Sequence, residues 1–294
     1  MERDLMEIKN KMVNIASLIK FPHTVFALPF ALSGMVLASL KHPWGINQLL
    51  WIILAMVGAR TAAMSFNRLV DRKIDAQNPR TQNRELVQGK LGLPDVYCLI
   101  IFSSSGFIFS AYMLNQLCFY LSPLALFIIL FYSYVKRFSW FSHLFLGLSL
   151  GIAPAGGWIA ITGSLKAEIC LLSLGVLAWV AGFDILYSCQ DHQFDVEHNI
   201  KSIPQRFGIK RALILARSFH ALAFVFLLSL KYFFHLNLIY LFGVLIVGGI
   251  LFYEHSLVKS NDLTKINIAF FNMNGIMSIT YFIFLLAGVA YSHL

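Results

Sequence analysis

Two short stretches of the chain place acidic or amide side chains at the spacing of a helix. In the first stretch they recur every four residues, and in the second they are seven and four residues apart. Side chains at these spacings lie on one face of a helix, and carboxylate and amide oxygens are the ligands that Mg²⁺ prefers. The residues are Asn67, Asp71 and Asp75 in the first stretch, and Asp184, Asp191 and Asp195 in the second.

Basic side chains accompany both acidic stretches. Arg68, Arg72 and Lys73 lie beside the first stretch, and Lys201 and Arg206 follow the second. A site that binds only a metal ion does not need these cations, whereas a site for a metal ion with a diphosphate needs both signs of charge. One such stretch alone is equally typical of a solvated helix end with ordinary ion pairs. Two stretches at corresponding ends of two apolar segments favour a single metal–diphosphate site.

The segments that must position these residues are strongly apolar. The 294 residues are 58% hydrophobic and only 13% charged, whereas soluble domains carry about a quarter charged residues. A transmembrane helix needs roughly 20 apolar residues, and open sheet edges cannot lie in lipid. The sequence therefore predicts an all-α integral membrane protein that forms one polytopic domain over residues 1–294. The nine predicted transmembrane spans are 21–40, 46–66, 96–115, 117–135, 143–163, 169–189, 212–230, 233–254 and 266–291.

Lys and Arg are distributed unevenly between the two sides of these spans. Most of them lie on the side of the N-terminus and of the loops 67–95 and 190–211, and the opposite side has only Lys41, Lys166 and Lys231. By the positive-inside rule, the N-terminus and both acidic stretches are cytoplasmic, and a bacterial inner membrane is the expected location. The net charge of +9 is then explained by the Lys and Arg residues that face the cytoplasm. We expect no nucleic-acid partner, because no basic soluble module is present, and no obligate protein partner.

Smaller patterns carry less weight. Gly147 and Gly151 are four residues apart and predict close packing of two helices. Asn274 is interpreted as an interhelical hydrogen-bonding residue, and His143 as a packing or interfacial residue. The four Cys residues show no metal-ligand spacing, so we expect neither a disulfide nor a zinc site.

Three segments resemble the UbiA superfamily of membrane aromatic prenyltransferases, typified by 4-hydroxybenzoate polyprenyltransferase. The first Asp-rich motif of that family is similar to NRLVDRKID at 67–75 with NPRTQNREL at 78–86. The family's Tyr-x-x-x-Lys-Arg segment is similar to YSYVKRFSW at 132–140, and its second motif to DILYSCQDHQFDVEHNIKSIPQRFG at 184–208. The similarity extends in order and spacing over essentially the whole chain.

The resemblance implies a fold of nine transmembrane helices around a central cavity. It also implies Mg²⁺-dependent transfer of a polyprenyl group from its diphosphate to a ring carbon of an aromatic hydroxy acid, as in quinone biosynthesis. Membrane lipid would surround the enzyme. The implied Mg²⁺ ligands are Asn67, Asp71, Asp75, Asp191 and Asp195. The expected partners of the prenyl diphosphate are Arg72, Arg80, Lys136 and Lys201. The expected catalytic residues are Asp71, Asp191 and Tyr187, the last as an aromatic ring beside the carbocation.

The aromatic acceptor stays open at this stage. The pair Asn67-Arg68 stands where enzymes acting on 4-hydroxybenzoate usually carry Asn-Asp. Other stretches are closer to a subgroup linked to menaquinone made through futalosine, whose acceptor would be a dihydroxynaphthoate. Lys20, which precedes the first span, is either a ligand of the acceptor carboxylate or a positive-inside anchor.

Two alternatives to an aromatic prenyltransferase remain. A membrane transporter would also combine many helices with intramembrane acids, but here the acids lie at one membrane face among many bases rather than at the midplane. A haem-modifying farnesyltransferase is the nearest alternative enzyme.

Overall fold

The computed structural model describes residues 2–20 and 24–292, and the regular structure in these ranges is helical. The helices are α1 (Glu2–Leu18), α2 (Thr24–Ser39), α3 (Ile46–Gln77), α4 (Leu93–Leu114), α5 (Gln116–Val135), α6 (Ser142–Thr162), α7 (Ala167–Ser188), α8 (His192–Glu197), α9 (Ile203–Phe233), α10 (Leu238–Leu257) and α11 (Asn274–Ser292). A 3₁₀ turn, Cys189–Asp191, joins α7 to α8, and a π-helical segment, Ile268–Met273, precedes α11.

Eight helical segments in the described part of the chain are long and apolar enough to cross a membrane. They correspond to eight of the nine predicted spans, which confirms an integral multi-pass membrane protein. The predicted first span, 21–40, corresponds to α2, which has 16 residues, and residues 21–23 of that span lie outside the described residues. The count of nine is therefore not confirmed.

The core of the bundle surrounds α7, which is apolar on most of its faces. Trp179 on this helix is fully buried and packs against Phe30 of α2, with 5.0 Å between ring centroids. The predicted close packing at Gly147 and Gly151 is confirmed, since a Cβ at either residue would lie within 3 Å of a backbone carbonyl of α7. Small residues allow this approach of helix backbones.

A buried polar network crosses the apolar core between α7, α10 and α11. The indole N–H of Trp179 donates to Oδ1 of Asn274 at 2.7 Å, and Nδ2 of Asn274 donates to Oε1 of Glu254 at 3.1 Å. The same amide also donates to the carbonyl of Phe270 in the π-helical segment, at 3.0 Å. The interpretation of Asn274 as an interhelical hydrogen-bonding residue is thus confirmed, and its amide also binds the backbone of the π-helical segment.

Two features position the first acidic stretch. Helix α3 continues eleven residues beyond the predicted span, to Gln77. The first acidic stretch is therefore helical, as predicted. The loop 78–92 follows and packs on α1, a helix that the sequence analysis did not predict. Ser17 of α1 donates to Glu85 of the loop, and Lys11 forms an ion pair with Asp95 at 2.5 Å. Leu18, Leu86 and Leu91 form a small apolar cluster beneath these contacts.

Candidate active site

The two acidic stretches meet at one polar pocket of about 210 Å³. Its walls come from the C-terminal ends of α3, α5 and α7, the N-terminal end of α6, helix α8 and the segment before α9. All six residues singled out for their spacing line this pocket, and so do three of the four expected diphosphate partners. These nine are Asn67, Asp71, Asp75, Asp184, Asp191, Asp195, Arg80, Lys136 and Lys201.

Asp71 lies in the wall formed by α3 and the end of α5. Its side chain is buried, and its carboxylate accepts hydrogen bonds from Lys136 Nζ at 2.6 Å and Arg137 NH2 at 3.1 Å. Nδ2 of Asn67, one helical turn earlier, also donates to Asp71 at 3.0 Å. Helix α5 ends at Val135, so Lys136 and Arg137 leave its last turn beside the acidic face of α3. The carboxylate is therefore neutralised by two cations from a neighbouring helix.

Asp75 is held by the loop that follows its own helix. NH1 of Arg84 donates to its carboxylate at 2.5 Å, and the hydroxyl of Thr81 donates to its backbone carbonyl at 3.1 Å. Asn78 ends α3 and accepts the backbone N–H of Arg80 at 2.9 Å. These local contacts fold the loop back so that Arg80 and Arg84 lie over the pocket.

Asp191 connects this loop to the second acidic stretch. Arg80 donates from Nε to Oδ1 at 2.9 Å and from NH2 to Oδ2 at 2.5 Å, and Nδ2 of Asn78 donates to Oδ1 at 3.1 Å. Burial disfavours the charge of Arg80, but the hydrogen bonds and charge of Asp191 outweigh it and raise the pKa of the guanidinium. Two-point pairing of this kind fixes the orientation of both groups.

Asp195 and Lys201 complete the side of the pocket opposite α3. The buried carboxylate of Asp195 accepts the hydroxyl of Ser202 at 2.7 Å. The backbone N–H of Lys201 donates to the carbonyl of Lys136 at 2.8 Å, which joins the segment before α9 to the end of α5. Nζ of Lys201 donates to Asn199 at 2.7 Å and lies 5.6 Å from the ring centroid of Trp140.

Asp184 lines the pocket beside His143, which the sequence indicated as a packing or interfacial residue. Nδ1 of His143 lies 2.7 Å from Oδ2 of Asp184, and the backbone N–H of Ile203 donates to Nε2 at 3.3 Å. Since Nε2 accepts a hydrogen bond, Nδ1 carries the proton and donates to the carboxylate. His143 is buried in the pocket wall, as a packing residue would be, and in addition its ring contacts Asp184 and orients the carboxylate.

Two predicted site residues lie elsewhere. Arg72 is exposed and does not line the pocket, because a side chain one residue after Asp71 points about 100° away around the helix. Tyr187 does not line it either. Its ring stacks on Phe270 with 3.9 Å between centroids, and its hydroxyl accepts NH1 of Arg80 at 3.2 Å. Tyr187 therefore contacts Arg80 from outside the pocket. The position of Arg72 does not support the prediction that it binds the diphosphate.

Three residues that the sequence analysis left out of the site belong to it. They are Arg84, Arg137 and Tyr132. Tyr132 lies in the last turn of α5, four residues before Lys136. This spacing was a signal for Tyr132, since residues four apart share a helical face, whereas Arg84 lies in a loop and Arg137 follows the end of α5, so neither had such a signal.

A second, apolar cavity of about 360 Å³ adjoins the polar pocket. Helices α2 to α6 form this cavity. Tyr132 and Leu146 line both the cavity and the polar pocket. Among its described lining residues, Arg60 is the only charged one. The geometry thus joins a highly charged pocket to an apolar cavity within the bundle.

The donor set of the polar pocket fits Mg²⁺ together with a diphosphate. Within the described ranges, no three His, Cys, Asp or Glu side chains converge on a point as they would in a closed metal site. The carboxylates that line the pocket come from several different helices, and each is ion-paired or hydrogen-bonded to a neighbouring side chain. Oxygen ligands spread around a pocket, with cations among them, suit an ion whose remaining ligands are phosphate oxygens.

Comparison with known proteins identifies the class. The profile of the UbiA prenyltransferase family matches residues 27–276. The chain belongs to the UbiA prenyltransferase family and is a transferase, so the transporter alternative is set aside.

Individual relatives agree with this assignment. The 4-hydroxybenzoate octaprenyltransferase of Vibrio parahaemolyticus is 27% identical over 260 residues, which cover 88% of each chain. The structure of a UbiA homologue from Aeropyrum pernix K1 has a TM-score of 0.80 and 31% identity, and covers 92% of this chain and 98% of that one. A UbiA homologue from Archaeoglobus fulgidus, bound to GPP and Mg²⁺, has a TM-score of 0.69 and 19% identity, and covers 94% of this chain and 99% of that one.

Proposed function

We propose that this prenyltransferase transfers a polyprenyl group from polyprenyl diphosphate to a ring carbon of an aromatic hydroxy acid, and that the reaction requires Mg²⁺. The observation that carries the proposal is the junction of the charged pocket with the apolar cavity at Tyr132. The two ends of a prenyl diphosphate need these two environments. The names of the relatives support the same reaction, since one is a 4-hydroxybenzoate octaprenyltransferase and another binds GPP and Mg²⁺.

The charged pocket is assigned to the diphosphate and its metal. Mg²⁺ bound there would neutralise the departing diphosphate as a Lewis acid. The residues that would hold it are Asn67, Asp71, Asp75, Asp191 and Asp195. The residues assigned to the phosphate oxygens are Arg80, Arg84, Lys136, Arg137 and Lys201.

The ion pairs of the pocket prepare it for such a ligand. Asp71, Asp75 and Asp191 are each paired with Lys or Arg, so the buried charges are balanced before substrate arrives. With diphosphate and its metal bound, Lys136, Arg84 and Arg80 would bind phosphate oxygens, and Asp71, Asp75 and Asp191 would hold the metal, so that every charge would keep a partner of opposite sign.

The apolar cavity is assigned to the first part of the prenyl chain. Loss of the diphosphate leaves an allylic carbocation, which water would capture, so the reacting carbon must lie in a dry space. Tyr132 lines both the polar pocket and the apolar cavity, and its ring would offer an electron-rich surface at this junction. Tyr132 thus takes the role that the sequence analysis gave to Tyr187.

Asp184 is assigned as the acceptor of the proton that the aromatic ring loses after attack. Among the carboxylates described in the pocket, Asp184 and Asp195 have no ion pair with Lys or Arg, and Asp195 is bound by Ser202 within the wall. His143 holds one oxygen of Asp184 in place, which leaves the other for the substrate. The proposal therefore separates diphosphate departure, at Asp71 and Asp191, from deprotonation at Asp184.

The proposed orientation places the polar pocket on the cytoplasmic side of a bacterial inner membrane. The support is the concentration of Lys and Arg at this end of the bundle, as the positive-inside rule requires. The proposed partners are two substrates and the surrounding lipid, with no obligate protein partner.

The acceptor is assigned to the 4-hydroxybenzoate type, with a dihydroxynaphthoate as second candidate. The feature that keeps the second candidate is Arg68, which stands beside Asn67 where 4-hydroxybenzoate enzymes usually carry Asp. Arg68 is buried, and its NH1 donates to Oδ1 of Asn67 at 3.4 Å. The first motif is thus more basic than in the type enzyme.

A product assay tests the proposal. Purified protein is incubated with geranyl diphosphate, Mg²⁺ and either 4-hydroxybenzoate or 1,4-dihydroxy-2-naphthoate, and products are identified by mass. We expect a ring-prenylated acid from at least one acceptor. Hydrolysis of geranyl diphosphate without any prenylated acid, under conditions where both acids are present, would contradict the proposed acceptor class.

A further inference from the structure

The outer face of α9 carries a positive charge within its apolar, membrane-spanning part. The exposed residues of this face recur at helical spacing, and they are Ile214, Arg217, Ser218, Leu222 and Val225. The three aliphatic residues suit contact with lipid, whereas the guanidinium of Arg217 does not. A charged side chain at this position is costly unless it reaches a partner of opposite charge.

The described part of the chain supplies no such partner for Arg217. Its guanidinium forms no ion pair with a carboxylate there. His255 of α10 lies close enough to interact with Arg217 electrostatically, but its Nε2 lies 3.0 Å from Nδ1 of His220. Glu254, also on α10, is fully buried and accepts a hydrogen bond from Asn274. The counter-charge of Arg217 must therefore come from outside the chain.

Two more cations lie on α9 nearer its N-terminal end. The backbone of Gly208, with φ at 78°, interrupts the helix, so Lys210 and Arg211 lie in the first turn of the continuous segment that follows. Both are exposed, and in the described ranges neither forms an ion pair. Residues 198–253 contain no Asp or Glu. This end of α9 is therefore a purely cationic surface.

Helix geometry brings Arg217 towards these two cations. Lys210 precedes Arg217 by seven residues, so both lie on one face, about 10 Å apart along the axis. The Cα–Cβ bonds of a helix tilt towards its N-terminus, and a long Arg side chain extends to the membrane surface while its stem stays in the apolar region. The guanidinium of Arg217 thus extends along Ile214 towards Lys210. Leu222 and Val225 continue the same face into the bilayer.

We propose that Arg217, Lys210 and Arg211 bind the phosphate of an anionic phospholipid, whose acyl chain lies along Leu222 and Val225. Charge complementarity supports this occupant, since the face combines three cations with an apolar extension and contains no carboxylate. Anchoring at the membrane surface would account for Lys210 and Arg211. It would not account for Arg217, which lies about 10 Å deeper.

The occupant is a lipid rather than a free phosphate ion, because Arg217 lies within an apolar segment that a hydrated ion does not enter. The site is also distinct from the proposed reaction centre. Arg217, Lys210 and Arg211 line neither the polar pocket nor the apolar cavity. The proposal therefore does not depend on the identity of the aromatic acceptor.

Lipid titration tests the proposal. Purified protein in detergent is titrated with a phosphatidylglycerol, and separately with the phosphatidylcholine that has the same acyl chains, and native mass spectrometry measures the bound lipid. We expect tighter binding of phosphatidylglycerol, because the choline group offsets the phosphate charge. A cation at the membrane surface contributes about fivefold in affinity for anionic lipid. Arg217→Gln should lose about this factor, the double variant Lys210→Gln/Arg211→Gln about 25-fold, and Arg217→Lys should lose less than Arg217→Gln.

The matched control is Arg72→Gln, which removes the same charge from an exposed position on α3. It should bind phosphatidylglycerol as the wild type does. Thermal unfolding checks the fold of each variant, and the double variant tests the site even if Arg217→Gln is unstable.

Three results would overturn the proposal. They are equal binding of the two lipids by the wild type, unchanged phosphatidylglycerol affinity in folded Arg217→Gln or in the double variant, and an equal loss in Arg72→Gln. Inorganic phosphate is added as a further arm. Displacement of the bound lipid by this ion at constant ionic strength would show that the site takes free phosphate, which contradicts the assignment to a lipid.

Discussion

Arg80 and Asp191 form a two-point ion pair between the loop after α3 and the turn after α7, with donor–acceptor distances of 2.9 and 2.5 Å. This pair connects the first motif to the second, and Tyr187 supports it through its hydroxyl. The hydrogen bonds and charge of Asp191 raise the pKa of the Arg80 guanidinium, which favours its charged form. The two halves of the pocket are therefore joined by an interaction that only Arg can make in this geometry.

Replacement of Arg80 should affect catalysis more than replacement of Arg72. We expect Arg80→Lys to lower kcat/KM for geranyl diphosphate by about 10- to 100-fold, because Lys cannot form the two-point contact with Asp191. Arg72→Gln should change it less than about threefold, because Arg72 is exposed outside the pocket. Steady-state kinetics in detergent measure both. A larger loss in Arg72→Gln would restore the diphosphate-binding role that the sequence suggested.

Asp71→Asn and Asp191→Asn should both lower turnover by several orders of magnitude, because diphosphate departure needs the metal. Their effects on stability should differ, because the two acids are buried to different extents. Asp71 is 1% exposed and neutralises Lys136 and Arg137, so Asp71→Asn should cost about 1–3 kcal/mol of folding free energy. Asp191 is more exposed, and Asp191→Asn should cost less. Thermal unfolding in detergent compares the two, and equal stabilities would contradict the burial argument.

The Asp184–His143 pair should act on turnover rather than on substrate binding. We expect Asp184→Asn to lower kcat at least 100-fold while the Mg²⁺ concentration for half-maximal activity changes little, because Asp184 is not among the proposed metal ligands. His143→Gln should give a smaller loss, since it removes the group that orients Asp184. A large shift in Mg²⁺ requirement for Asp184→Asn would place this carboxylate in the metal site instead.

The buried network at Asn274 should contribute to stability. Asn274→Ala would leave the indole N–H of Trp179 and a carboxylate oxygen of Glu254 without their partner. We expect a loss of about 2–3 kcal/mol, because buried polar groups left unsatisfied are costly. Asn272→Ala is the matched control two residues earlier, since Asn272 is exposed. Similar melting temperatures for the two variants would show that the network contributes little.

The spacing of the acids made the site partly predictable. Asn67, Asp71 and Asp75 share one helical face whatever surrounds them, and apolar length alone indicated the spans. The partners of these acids were not predictable in the same way. Arg84 and Arg137 reach Asp75 and Asp71 through the fold of a loop and the end of another helix, which no local pattern encodes. Arg72 and Tyr187 were chosen for residue type and position in a motif, but their direction from the helix axis decides what they contact.

The count of spans shows a related limit. Hydropathy recognises α2 as apolar, but Pro29 lies within it and the helix has only 16 residues. Helix α1 was missed for the opposite reason, because it is charged and its docking depends on Leu86 and Leu91 in a distant loop. Long-range packing, and not local composition, therefore positions α1.

The central claim is that the two acidic stretches form one Mg²⁺–diphosphate site, and a metal titration tests this claim most directly. Purified protein is treated with EDTA, passed into metal-free buffer and assayed for ring-prenylated acid, with geranyl diphosphate and an accepted aromatic acid, as Mg²⁺ is added back. The account predicts no product without the metal and full recovery of activity when Mg²⁺ is added. It also predicts a higher Mg²⁺ requirement in both Asp75→Asn and Asp195→Asn, since each acidic stretch supplies ligands to the same site. Full activity in metal-free buffer, or a changed requirement in only one of the two variants, would contradict it.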